Sequence, residues 1–446
     1  MSKNVNLNYL SSLSIFEDYS KSCDNYITKK YSLTKMGLLL KYLVAGLVRY
    51  WLIHLDYWQT IANRVEIATP LNSWKRLMEG VYLYDHGINP YEGDSFHESP
   101  IILFVFHFVL KRAPFILPVL FTVMDLLTAH LLYKTSKAFI RFFKEKQESV
   151  LSEVAEQSKT MLLNDIQLKE ASDYVLSVYL FNPYSVLNCA GMTTTVIQNL
   201  LVATALWGAT SGQRIVACVF IALATHQALY PVLLIVPIAI ILADINKGCN
   251  KCSYIRTLLA FVLSWGFLIY LSNLFYFTSP NIGLFWYFFT EMFEHFRLLF
   301  VCAFQINALA LYIVPLTLRF RKEPVLLATV LIALSSIFRS YPCVGDVGFY
   351  LALLPMWKHL FTFMQQKFIV GCAFIITSAL GPTVWHLWIY SGSANANFFF
   401  GVTLSFATAQ IFLITDLLFA YIKREFTLKH GSSRQVDGKP AKLVLR

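Results

Sequence analysis

GLLLKYLVAGLVRYWLIHL, residues 37–55, is the first long apolar run of the chain, and its length decides how the rest is read. An upright helix needs roughly 20 such residues to cross a bilayer, and this run comes close. Similar runs recur at 114–134, 174–190, 195–209, 214–230, 231–243, 257–277, 297–318, 325–338, 347–362, 368–385 and 398–422. The expectation is an all-α, polytopic membrane protein with roughly twelve transmembrane helices. Several runs are shorter than an upright span, and Pro231 and Pro237 make 214–243 either two spans or one broken helix. SPIILFVFHFVL (99–110) is shorter still and follows a polar loop, so it reads as re-entrant or interfacial.

Composition agrees. Of 446 residues, 57% are hydrophobic and only 14% charged, against about 25% charged in soluble domains. Mean hydropathy is +0.54. The net charge of +11 needs no nucleic-acid partner, because basic cytosolic loops account for it.

Basic residues test the parity of the spans. Lys29, Lys30 and Lys35 precede the first run; Lys137, Arg141, Lys144 and Lys146 follow the second. Lys247, Lys251 and Arg256, then Arg319, Arg321 and Lys322, then Lys358 and Lys367, mark later loops, and Lys423, Arg424 and Lys429 follow the last run. With an even span count all of these share one side, which the positive-inside rule makes cytosolic. Both termini are then cytosolic. The reading divides the chain into a polar extension (1–35), a membrane domain (36–426) and a basic tail (427–446), with a charged cytosolic segment at 135–172 and a large opposite-side loop at 56–98.

That opposite side collects the unusual polar–aromatic sequence: NPYEGDSFHESP (89–100), NIGLFWYFFTEMFEHF (281–296), RSYPCVGD (339–346) and WHLWIYSGSANANFF (385–399). With PLNSWKRLMEG (70–80) and LFNPYSVLN (180–188), these segments closely resemble the PIG-U family of glycosylphosphatidylinositol (GPI) transamidase subunits. The resemblance runs from about Met36 to the carboxyl end. It departs at residues 1–35, which have no expected counterpart, and at LSNLFYFTSP (271–280), shorter than is usual before the NIGLFWYFF run.

The resemblance implies a non-catalytic, multi-span subunit of the endoplasmic-reticulum membrane, with a bundle like that of GT-C glycosyltransferases. Its implied partners are a catalytic cysteine-protease subunit, accessory membrane subunits and the GPI lipid. The complex removes a carboxyl-terminal hydrophobic signal and joins the new carboxyl to the GPI ethanolamine amine. No cofactor is implied.

Candidate lipid and headgroup contacts follow from residue chemistry. Asn395 and Asn397 offer amide donors and acceptors suited to sugar hydroxyls or phosphate, and Ser393 lies in the same small-residue stretch, near His386. The alternative is a lumenal turn capping the last span, since Asn and Ser are common N-caps. Trp286 sits among aromatics able to wall acyl chains. On a continuous helix Glu291, Glu294 and His295 share one face, where they either organise a headgroup region or contact a partner subunit, or else close a helix end with a Glu–His pair beneath an aromatic belt. His97, Glu98 and Asp346 are expected to fix lumenal loops, while Pro342, Gly345 and Gly348 mark a turn and a close helix approach.

The sequence also carries features of an enzyme. VMDLLTAHLLY (123–133) and the pattern of Gly87, Pro90, Tyr91, His97 and Pro100 also resemble GPI mannosyltransferases of GT-C type, which use dolichyl-phosphate-mannose. Those enzymes place an acidic pair early in the first lumenal loop, as a general base or metal site. Here Glu66 stands alone, and Glu92 and Asp94 flank Gly93, where a turn fits. The histidines are too scattered for an elongase-type cluster, Cys189 and Cys343 lack a histidine partner, and the Cys249–Cys252 pair lacks further metal ligands.

Overall fold

The computed structural model describes residues 36–93, 96–246, 250–266, 281–306 and 311–431, and the pairs 435–436 and 439–440. The extension 1–35, Asp94, Cys249 and the 271–280 stretch lie outside the described residues. The chain divides into two compact units, Met1–Val48 and Arg49–Arg446. In the first, residues 36–48 form the start of the helix Met36–Ile53. All later elements belong to the second. Helices dominate, and a two-residue antiparallel pairing, Gln435–Val436 with Lys439–Pro440, is the only β-ladder among the described residues.

Among the described residues, four helices are long and apolar enough to cross a membrane: Met36–Ile53, Pro114–Ser149, Lys367–Ile389 and Ala396–His430. Shorter apolar helices cover Thr195–Thr210, Arg214–Gln227, Tyr230–Ile245 and Pro324–Phe338. Pro324–Phe338 is buried on nearly every side, as expected of a helix that is apolar all round.

Several apolar runs are broken where the sequence supplies a reason. The 174–190 run is two helices, Asp165–Phe181 and Pro183–Ala190. Asn182, extended ahead of a proline, ends the first and caps the second by accepting from Tyr184 N at 3.0 Å. Likewise 214–243 resolves into separate helices: Arg214–Gln227 stops at extended Ala228, and a 3₁₀ turn at Tyr230–Leu234 leads into Ile235–Ile245.

Polar anchors join distant elements. The Arg49 guanidinium donates to Asp125 Oδ2 (2.6 Å) and to the Leu180 carbonyl (2.8 Å), and Tyr179 donates to Asp125 Oδ1 (2.8 Å). Near the basic end of Ala396–His430, Ala155 N reaches the Leu428 carbonyl (2.9 Å) and Ser158 Oγ the Thr427 carbonyl (2.7 Å). The connector after Ser149 thus satisfies carbonyls that a helix end leaves open. Gly345 and Gly348 press Val344–Leu353 onto Pro183–Ala190: a Cβ on Gly345 would lie 2.3 Å from the Asn188 amide, and one on Gly348 3.1 Å from Ser185 N. The close approach read from these glycines is present.

Candidate functional site

NIGLFWYFFTEMFEHF does not form one helix. Trp286–Glu291 ends at Met292, whose ψ of 142° is extended, and a new helix begins at Glu294. The shared face expected of Glu291, Glu294 and His295 is therefore absent. All three are exposed, and among the described residues no Glu–His ion pair joins them. Packing decided the break. Phe285 and Phe289 turn inward against Phe304 and Phe338, so the segment folds back on the helix that follows it.

Trp286 points the other way, into a cluster built from the 385–399 segment. It stacks on Trp388 (6.3 Å between ring centres, 23°) and packs on Phe399 at 5.9 Å. Trp385 completes the group, 5.1 Å from Phe399 and 5.4 Å from Trp388. Trp286 is 4% exposed, and its indole N–H is buried with no partner among the described residues. A buried donor of this kind normally finds an acceptor.

The turn at 390–395 presents the two asparagines. Gly392 takes a left-handed conformation (φ 64°), and Ser393 N bonds back to the Leu387 carbonyl at 3.0 Å, with its hydroxyl at 3.5 Å from the same oxygen. His386 is exposed and stacked on Tyr390. Asn395 is the N-cap of Ala396–His430, its carbonyl oxygen accepting from Phe398 N at 3.2 Å. The capping role is thus filled. Asn397 accepts from the Tyr287 hydroxyl. That phenol is pushed above its ordinary range by desolvation, then by the neighbouring Glu291 carboxylate.

Both asparagines therefore spend their oxygens inside the protein. Both side chains are exposed, and among the described residues neither amide nitrogen has a partner. Two unused N–H₂ donors are thus left at the surface, that of Asn397 beside Tyr287.

Under the cluster lies a cavity of about 320 Å³, mostly apolar, with Phe399 in the wall of both. Tyr57, Ile61, Leu187, Val402 and Phe406 line it, and Arg64, paired with Glu66 at 3.3 Å, supplies its charged edge. Tyr184 bonds to Ser378 across one side. Sequence reasoning did not assign Tyr57, Arg64 or Tyr184 to this site. Tyr184 lies in the quoted LFNPYSVLN stretch, and only tertiary packing brings it to Phe406.

Elsewhere on this side, Glu98 is buried and accepts from the Thr194 hydroxyl, and burial pushes its carboxyl up to about 7. Tyr91 donates to the Glu98 backbone carbonyl at 3.3 Å. His97 lies beside it with both ring nitrogens buried. Asp346 caps Val344–Leu353 through Cys343 N (3.0 Å) and pairs with Arg339. The Cys343 thiol, raised to about 12 by burial and then by Asp346, is held in its un-ionised form. Glu92 accepts from Asn89 at 3.1 Å, as a turn residue would. Among the described residues no three His, Cys, Asp or Glu side chains converge on a metal position.

The family model described as GPI transamidase subunit PIG-U matches residues 43–279 and 273–406. The chain is 40% identical over 445 residues to the GPI-anchor transamidase component PIGU of Mus musculus, covering 92% of this chain and 99% of the relative. The Homo sapiens component gives the same figures. The GPI transamidase component GAB1 of Saccharomyces cerevisiae is 28% identical, over 82% of this chain and 90% of its own length. Matched along nearly its whole length, this chain belongs to the PIG-U family of GPI transamidase subunits.

Proposed function

We infer that the chain is a non-catalytic component of a GPI transamidase in the endoplasmic-reticulum membrane and helps hold the GPI lipid for transfer. Acyl transfer then falls to a partner cysteine-protease subunit, with accessory membrane subunits completing the assembly. The lipid's apolar part fits the cavity below Phe399, while phosphate or sugar oxygens accept from the Asn395 and Asn397 amides. Ser393, Trp286, His386, Glu291, Glu294 and His295 border that position. The pair of exposed, unused amide donors above an aromatic-walled cavity carries this reading. The basic clusters support cytosolic termini and the division into extension, membrane domain and tail. They also support an even count of about twelve crossings, in a GT-C-like bundle.

The test is the GPI intermediate that accumulates in cells lacking this protein, resolved by chromatography of mannose-labelled lipids. Complete, ethanolamine-bearing GPI together with unprocessed precursor proteins is expected. A mannose-deficient precursor would overturn the reading in favour of a mannosyltransferase. Restoration by the wild-type chain, but not by a chain lacking both amide donors, ties the defect to the proposed site.

A further inference from the structure

A second and larger cavity, about 1060 Å³, opens between Leu117–Ser149, Ile235–Ile245, Asn250–Gly266 and Ile313–Phe320. Its size lies just above the roughly 300–1,000 Å³ usual for small-molecule sites. Phe142, Val236, Ile240, Ile255, Leu258 and Leu318 make the wall apolar. The mouth is charged, and with both signs. Glu145, Lys146, Asp244, Arg321 and Lys322 ring it.

Lys146 is committed, with its Nζ 2.6 Å from Glu323 Oε1 and a second bond to the Lys322 carbonyl. Asp244 also lies within reach of the Lys146 charge, without forming an ion pair. Among the described residues the side chains of Arg321, Lys322, Glu145 and Asp244 make no hydrogen bond or ion pair. The Thr317 hydroxyl also lines the cavity, with its oxygen buried and without a partner among the described residues.

An apolar wall under a charged mouth suits an acyl chain carrying a polar head. The signs select the head. A purely basic mouth would take any anionic lipid, but two carboxylates here repel net negative charge. Two cations can hold a phosphodiester. Two carboxylates can accept from a primary ammonium, which has three donors; a trimethylated choline has none.

We propose that this groove is a binding site for a phosphatidylethanolamine-type aminophospholipid, with its phosphate on Arg321 and Lys322 and its ammonium on Glu145 and Asp244. An acyl chain lies along Val236, Ile240, Leu258 and Leu318. The site is separate from the GPI position proposed above and does not depend on it. Under the proposed orientation the lipid comes from the cytosolic leaflet.

The test uses the intact complex in nanodiscs doped with phosphatidylethanolamine bearing a photoreactive diazirine in one acyl chain. Phosphatidylcholine and phosphatidylglycerol probes of the same chain are run in parallel, and adducts are mapped by peptide mass spectrometry. Adducts on the peptides containing Leu258 and Leu318 are expected, strongest with the ethanolamine probe. Arg321→Ala with Lys322→Ala should lower their yield roughly tenfold, the factor given by about 1.4 kcal/mol. Glu145→Gln with Asp244→Asn should erase the preference over phosphatidylglycerol. Ala239→Trp, which fills the groove, should abolish labelling; if that variant does not assemble, the exposed Arg321 and Lys322 substitutions still decide. Equal labelling by all three probes, or labelling indifferent to these substitutions, would each overturn the proposal.

Discussion

Arg49 and Asp125 form an ion pair with neither side chain exposed, Nε to Oδ2 at 2.6 Å. The Tyr179 hydroxyl and the Leu180 carbonyl complete the set, so the end of one apolar helix is tied to the middle of another and to Asp165–Phe181. Charges in apolar surroundings persist when each has its counterpart. Removing one partner strands the other, at about 3–5 kcal/mol. Arg49→Met and Asp125→Leu should therefore each lower the steady-state level of the protein and its recovery with the complex. The double variant should recover much of the loss, because it buries no lone charge. Co-purification yields of the four proteins, compared in one expression series, measure this. A double variant as depleted as the worse single one would assign the residues some role beyond charge pairing.

Gly345 faces the Asn188 amide so closely that a Cβ would lie 2.3 Å away. That amide is buried and accepts from Thr193 Oγ1 at 2.6 Å, so it cannot swing aside without breaking a bond. Gly345→Ala should destabilise by about 1–3 kcal/mol, the usual range for overpacking. Gly371, within Lys367–Ile389, has nothing within 4 Å of its would-be Cβ, and Gly371→Ala should be neutral or slightly stabilising. Thermal unfolding of the two purified variants checks the contrast.

Local features of the fold were legible in the sequence. Long apolar runs became long helices at 37–53 and 398–422, and Gly345 and Gly348 announced a close approach that the packing contains. Asn395 was readable as a cap because capping needs only residues within one turn. The Asn182–Pro183 break was also within reach, since proline constrains its predecessor. What stayed hidden depends on distant partners. Nothing local says that Asp125 faces Arg49, 76 positions away. The break at Met292 follows from Phe285 and Phe289 docking on Phe304 and Phe338, and a periodicity argument made within 281–296 cannot register it. The free amide nitrogens were hidden for the same reason: Asn397 looks like a generic polar residue until Tyr287 claims its oxygen.

The two asparagines separate a ligand role from a structural one. Asn395→Asp keeps the oxygen that caps Phe398 N and adds a charge favourable at a helix start, while removing the N–H₂ donor. Asn397→Asp likewise keeps an acceptor for Tyr287. Both variants should assemble normally yet attach GPI to a reporter protein poorly, with complete GPI accumulating. Asn395→Ala, which loses cap and donor together, should add about 1 kcal/mol of destabilisation. Full attachment by the aspartate variants would leave only the capping and Tyr287 contacts as their role.

Glu98 gives the fold a pH dependence of definite sign. Burial raises its carboxyl from an ordinary 4.5 to about 7, against a smaller opposing effect from the Thr194 hydroxyl. The folded state therefore holds a proton that the unfolded chain releases. Stability from this group is complete below about pH 4.5, falls as the pH climbs toward 7, and levels off above it. The loss across that window is on the order of 3 kcal/mol, at 1.36 kcal/mol per unit. Glu98→Gln keeps an acceptor for Thr194 and carries no charge at any pH, so it should flatten this part of the profile and be the more stable protein at pH 7.5. Thermal unfolding of the purified complex at pH 5.5 and 7.5, wild type beside Glu98→Gln, reads both effects. A variant that keeps the wild-type slope would move the titration to another group.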